Sequence, residues 1–285
     1  MSYDSKQQIF LYHAYAHGCG GFLERKNQLL AIPSVGGAAL SIAGGEAYGE
    51  TGRFEWAPPF EPDPPRGFYL AVDRVTSHLW TEETEHAWIT NADVRVYGFN
   101  LSERVKVGLM VNRLTSTHLK GLNREALPDG GQPHISFNGS QFWNVFIDNA
   151  PVAISVDSDL DSYPTHVGLK GVVTQATPTP YCPGNLSVAS PQYMRDLATK
   201  YTSNKLTRCS IVGEIGHGKA YGYSVDLTDS AAPDDPSKNL GRVFFGEMLV
   251  GDEMKRLNMI RWDLGCDSCG GGSGGGADMN GLPMP

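Results

Sequence analysis

The strongest constraint on this chain is its punctuation. β-Branched and aromatic residues come in short runs, and each run is cut by glycine, asparagine, aspartate or proline. Such runs cover 9–19, 68–79, 88–99, 104–119, 135–156, 208–215, 220–227, 242–250 and 256–264. Side chains that are β-branched or aromatic fit a pleated, half-buried surface, and the intervening residues are turn formers. Many short strands at short spacing predict a mainly β fold, an antiparallel β-sandwich or a barrel-like unit. The last two runs predict a hairpin turning at Gly251-Asp252-Glu253. Segments 72–79 and 111–119 share an apolar, polar, Arg, apolar, Thr, Ser order ending in His-Leu, which reads as two strands with similar faces.

One short helix is predicted over about 190–204. Ser190 is a cap, Pro191 suits the first helical position, and Tyr193, Leu197 and Tyr201 form an apolar stripe. Long proline- and glycine-rich loops are expected at 52–67, 122–133 and 174–191. The expected organisation is a single β-rich unit over 1–265, with a subdivision near 122–134 as the alternative. Residues 266–285, rich in cysteine and glycine, are expected to form a flexible tail unable to bury a core.

Charge and segment composition narrow the partners. Lys and Arg number 23 against 31 Asp and Glu, a net charge of −8. A sparse acidic set argues against a nucleic-acid partner, whose phosphates demand clustered cations. No stretch approaches the roughly 18 consecutive apolar residues of a membrane-spanning helix. The N-terminus through Gln8 lacks a basic stretch followed by an apolar one, so the expected location is cytoplasmic, with export inside an assembly also compatible. Five scattered cysteines are not a disulfide framework.

Three clusters carry metal-ligand chemistry. His13, Tyr15, His17 and Cys19 share odd parity, so a strand would present all four on one face. His13 and His17 would stand roughly 13 Å apart, too far for one ion, which leaves His17 and Cys19 as a candidate half-site. Cys266 and Cys269 form a CxxC, half of a tetrahedral zinc site. Asp157, Asp159 and Asp161 alternate as in the start of a calcium loop, although Ser162 and Gly168 stand where an EF-hand needs glycine and glutamate. The alternatives, in the same order, are a polar strand face, exposed thiols and a solvated acidic turn. Zinc and calcium are the cofactors these sets would take.

No nucleophile elbow, His-Glu-x-x-His, phosphate loop or dinucleotide fingerprint is present, and His217 between two glycines has no evident partner. Trp80, beside an acidic loop containing His86, and Trp56, beside Pro58-Pro59, are candidate ligand-stacking residues. The leading expectation is a non-enzymatic β-rich structural, assembly or binding module that associates with itself or a protein partner. The alternatives are a carbohydrate-binding module using Trp56, Trp80 and His86, and a metal-dependent hydrolase drawing on His17, Cys19, His217 and the aspartates.

Overall fold

The fold is described from a computed structural model. It describes residues 9–25, 28–59, 68–120, 132–169, 187–188, 206–215, 224–228, 239–251, 254–264 and 269–284. In chain order the strands begin with β1 (Ile9–Leu11), β2 (Ala14–Arg25), β3 (Gln28–Val35), β4 (Ala38–Ala39), β5 (Glu46–Thr51) and β6 (Phe54–Trp56). Next come β7 (Leu70–Val72), β8 (Arg74–Glu83), β9 (Ala87–Leu101), β10 (Val105–Leu119), β11 (His134–Ser136), β12 (Gln141–Ile147) and β13 (Ala150–Val152). The remainder are β14 (Ile154–Val156), β15 (Ser187–Val188), β16 (Leu206–Ser210), β17 (Val212–Ile215), β18 (Ser224–Thr228), β19 (Asn239–Gly251), β20 (Lys255–Asp263), β21 (Cys269–Met279) and β22 (Leu282–Met284).

Two nine-stranded antiparallel sheets carry the architecture. The first runs β13-β12-β10-β9-β7-β6, with β8 joining β9 to β5 and β11 on β10. The second runs β15-β18-β19-β20-β21-β2-β3, with β16 on β19 and β4 on β2. Their inner faces share one apolar core, in which Val94, Val96, Phe99 and Met110 of the first meet Met259, Ile260 and Trp262 of the second. This is the expected sandwich-like, mainly β fold. The expected hairpin is present as β19 and β20, with Val250 opposite Lys255. The two similar segments are largely β8 and β10, which flank β9 on either side and so share an inside and an outside. The expected helix at 190–204 lies outside the described residues, as does most of the proposed subdivision near 122–134.

The glycine-rich C-terminus is not a tail. β21 is a central strand, paired along its length to β2 on one side and β20 on the other. Glycine here does not prevent burial, because the neighbours supply the apolar volume. A Cβ on Gly272 would stand 2.3 Å from the Trp262 ring, and one on Gly274 would stand 3.1 Å from Phe99. Both backbone edges are hydrogen-bonded, so the strand meets the accounting for buried peptide groups without side chains of its own.

Both sheets are crossed by a line of residues at which inside and outside exchange. In β9 the buried set is Ala92, Val94 and Val96 up to Gly98, then Phe99 and Leu101. In β10 it is Val105 and Val107, then Met110, Asn112 and Leu114 after Gly108. In β12 it is Phe142, then Val145 and Ile147 after Asn144. Register places Gly98, Gly108 and Asn144 side by side. The second sheet repeats this with Gly246, Met259, Gly275 and Gly18. Gly98, Asn144, Gly246 and Gly275 have φ of 63°, 54°, 59° and 62°. That left-handed conformation is open to glycine and tolerated by asparagine. A single strand changing parity would slip against its neighbours, whereas aligned changes keep the ladder in register.

Asn112 fastens one crease to the other sheet. Its side chain is fully buried, and Nδ2 donates to the Leu257 carbonyl at 2.8 Å and the Gly275 carbonyl at 2.7 Å. Removing a buried donor strands its acceptors, at about 1–3 kcal/mol. Asn112→Ala is therefore expected to lower the unfolding free energy by that amount, seen as a lower urea midpoint with an unaltered slope of the transition. An unchanged midpoint would show that the bond between the sheets contributes nothing.

Candidate ligand-binding face

The outer face of the first sheet is built by period-two alternation. In β8, Val75, Ser77 and Leu79 face the core, so Arg74, Thr76, His78 and Trp80 face out. Register then sets Tyr48 of β5 beside His78, and Glu46 beside Trp80. The result is an aromatic row. Tyr48 and His78 stack at 4.2 Å and 10° between planes, and His78 and Trp80 at 4.5 Å and 25°. Tyr48 at the end of the row is 68% exposed, so its ring is open to a ligand.

Carboxylates hold these rings upright. Glu46 accepts from the Tyr48 hydroxyl and lies 2.8 Å from His78 Nε2. Those hydrogen bonds, Tyr48 first, keep the Glu46 carboxyl below its ordinary range, while the same contact raises the Tyr48 phenol. The Trp80 indole donates to Glu82 at 2.9 Å. Asn91 donates to the same carboxylate at 3.1 Å and accepts from Thr115 at 2.9 Å. Along the next row Asp93 receives both Arg95 and Arg113, at 2.8 and 3.0 Å.

Where the crease crosses this face it opens a trough of about 470 Å³. Gly98, Gly108 and Asn144 of the crease line it, together with Arg53, Glu55, Tyr69, Asn100, Lys106 and Phe146. Register sets Glu55, Ala71, Asn100, Lys106 and Phe146 in one row across five strands. Lys106 is paired with Glu103 at 2.6 Å and Arg53 with Glu55 at 2.7 Å, and Asp73 adds a third carboxylate, so the lining carries charges of both signs. Such a surface suits a neutral polar ligand better than a strongly charged one.

Of the residues singled out from sequence, Trp80 lies on this face. Trp56 does not. It pairs with buried Leu70 and packs edge-on against Phe68, ring centres 5.7 Å apart, so its face of β6 looks inward. His86 is exposed in the turn between β8 and β9, away from the aromatic row. Tyr48 and His78 were not anticipated. Their signal was the alternation Glu46-x-Tyr48-x-Glu50 beside Thr76-x-His78-x-Trp80, meaningful once β5 and β8 are known to pair.

Neither the His17 and Cys19 pair nor the aspartates form a metal set. His17 and Cys19 stand on opposite faces, because Gly18 between them lies on the crease and reverses the parity. His17 looks outward with Nε2 at 2.7 Å from the Ser273 hydroxyl, whereas Cys19 is fully buried and burial pushes its thiol up to about 12. They cannot share an ion. Asp157 caps the short 3₁₀ helix Ser158–Ser162 by accepting from the Asp159 N–H at 2.9 Å, and Asp161 accepts from the Ser136 hydroxyl and the Phe137 N–H, each at 3.1 Å. These carboxylates organise a loop rather than converge. Among the described residues no group of three or more His, Cys, Asp or Glu is placed to hold a metal. Cys269 opens β21, while Cys266 and His217 lie outside the described residues. No described helix is long and apolar enough to cross a membrane.

Asp93 supplies a pH test of this face. Burial works to raise its carboxyl, but the hydrogen bonds from Arg95 and then Arg113 outweigh it, and the group titrates below its ordinary range. A lowered folded-state pKa stabilises above the unfolded value, and that contribution is lost as pH falls through the folded one. Asp93→Asn is therefore expected to be less stable than the parent at pH 7, with the gap closing below about pH 4. Denaturant midpoints at both pH values measure it, and an equal gap at each would contradict the assignment.

A family model described as a domain of unknown function, DUF8256, matches residues 10–251. Comparison with curated proteins and with solved structures gives no match.

Proposed function

The chain belongs to the DUF8256 family, and we propose that it is a binding module whose ligand is a carbohydrate, held on the outer face of the first sheet. The observation that carries this reading is the outward row Tyr48, His78 and Trp80, with each ring tied to a carboxylate. A pyranose presents an apolar C–H face flanked by hydroxyls. Rings held upright on a sheet offer the complementary surface, and Glu46, Glu82 and Asn91 stand beside them as hydrogen-bonding groups. The donors and acceptors of the trough, charges of both signs among them, fit the same hydroxyl-rich ligand.

A glycan array followed by calorimetry tests this reading. Trp80→Ala is expected to weaken the best ligand about fivefold or more, because a stacking contact of this type is worth about 1 kcal/mol beyond its area. Trp56→Ala, on the inner side, is expected to alter stability rather than binding. An array without a hit, or full affinity in Trp80→Ala, would overturn the proposal.

Self-association is a second reading, favoured by a different surface. β3 ends the second sheet, and there Leu29 is 70% exposed and Phe22 of β2 is 46% exposed. An open strand edge with apolar side chains is a template for pairing with another copy. Sedimentation at micromolar concentration should show a dimer that Leu29→Lys converts to monomer. A parent chain that sediments as a monomer would remove this reading.

A further inference from the structure

The outer face of the second sheet contains a feature that ligand stacking does not use. Register places Gly271, Ser273, Gly276 and Asp278 of β21 on this side, opposite Phe22, Gly20, His17 and Tyr15 of β2. The middle of the sheet is therefore a furrow one strand wide, floored by backbone, from which Ser273 rises. Arg256, Asn258 and Arg261 of β20 stand along its other side.

Gly276 is what lets His17 reach the serine. The imidazole lies over it, and a Cβ there would be 2.1 Å from His17 Cε1. In that position Nε2 is 2.7 Å from the Ser273 hydroxyl, and the ring is braced by Tyr15, stacked at 5.6 Å and 21°. Ser273 itself is only partly covered.

A second, independent observation concerns polar atoms without partners. Among the described residues His17 Nδ1, Asn258 Oδ1 and Asp278 Oδ1 are buried and find no hydrogen-bond partner, and Asn258 is only 6% exposed. Asn258 sits directly across Gly276, and Asp278 is the next outward residue along β21, its other oxygen held by Arg256 at 2.8 Å. Buried polar atoms of this kind ordinarily have a partner. The tautomer with its proton on Nδ1 leaves the Nε2 lone pair for the Ser273 proton. Burial, then Arg256, lowers the imidazole to about 4, so it is uncharged at neutral pH.

We propose that Ser273 is a nucleophile with His17 as its general base, and that the furrow accepts a small acyl ester. Ser273 Oγ attacks the ester carbonyl carbon while its proton passes to His17 Nε2. Collapse of the adduct breaks the bond to the alcohol oxygen, which leaves with that proton and yields acyl-Ser273. Water then attacks the acyl carbon, gives a proton to Nε2, and releases the acid as the proton returns to Oγ.

Full-length protein treated with a fluorophosphonate probe, then mapped by peptide mass, tests this. The expected result is one adduct on Ser273, absent from Ser273→Ala. Its rate should stay level from pH 6 to 8 and fall about a hundredfold in His17→Gln that keeps the parent circular dichroism spectrum. p-Nitrophenyl acetate should acylate the same residue. An unmodified Ser273 in the parent protein would overturn the proposal whatever the variants do. So would a rate that rises tenfold per pH unit, or one indifferent to His17→Gln, since a hydroxyl in a merely structural bond behaves in those ways.

Discussion

The aligned exchange of inside and outside along Gly98, Gly108 and Asn144 in one sheet, and Gly246, Met259, Gly275 and Gly18 in the other, is the constraint on which the rest of the structure depends. It decides which side chains meet in the core, because each strand it crosses changes parity there. It also decides how the sheets are fastened, since Asn112 reaches the carbonyl of Gly275 on the crease itself. The cost of left-handed backbone falls on glycine and asparagine, where it is small.

The two outer faces inherit different consequences. On the first, the crease opens the trough between the aromatic row and the far end of the sheet. On the second, it removes side chains from β21, so His17 can lie across the strand to Ser273. One backbone device thus produces a broad platform on one side and a narrow furrow on the other. The ring-and-carboxylate pairs of the platform and the serine–histidine pair of the furrow share no residue.

Much of the fold was legible in local pattern. The β19–β20 hairpin follows from two apolar runs and a Gly-Asp-Glu turn, and the kinship of β8 and β10 from repeated residue order. The errors have distinct physical sources. Parity counting put His17 and Cys19 on one face, and it fails at Gly18 because a strand on the crease does not keep a period of two. Composition made residues 269–279 a tail, yet they pair on both sides, because Trp262 and Phe99 occupy the volume their missing side chains leave. Trp56 looked like a partner for Trp80, but it lies on the inward side of its strand.

The sequence by itself determined that this chain is a collection of short antiparallel strands with one polar and one apolar side, since alternation and turn chemistry act over a few residues. Only the tertiary structure decided where that alternation reverses and which strand lies next to which. Those outcomes depend on register between segments as distant as β2 and β21, joined through backbone hydrogen bonds that every residue type makes alike. Peptide groups carry no residue-specific signal. The rows Tyr48–His78–Trp80 and His17–Ser273 therefore became visible only when the strands were paired.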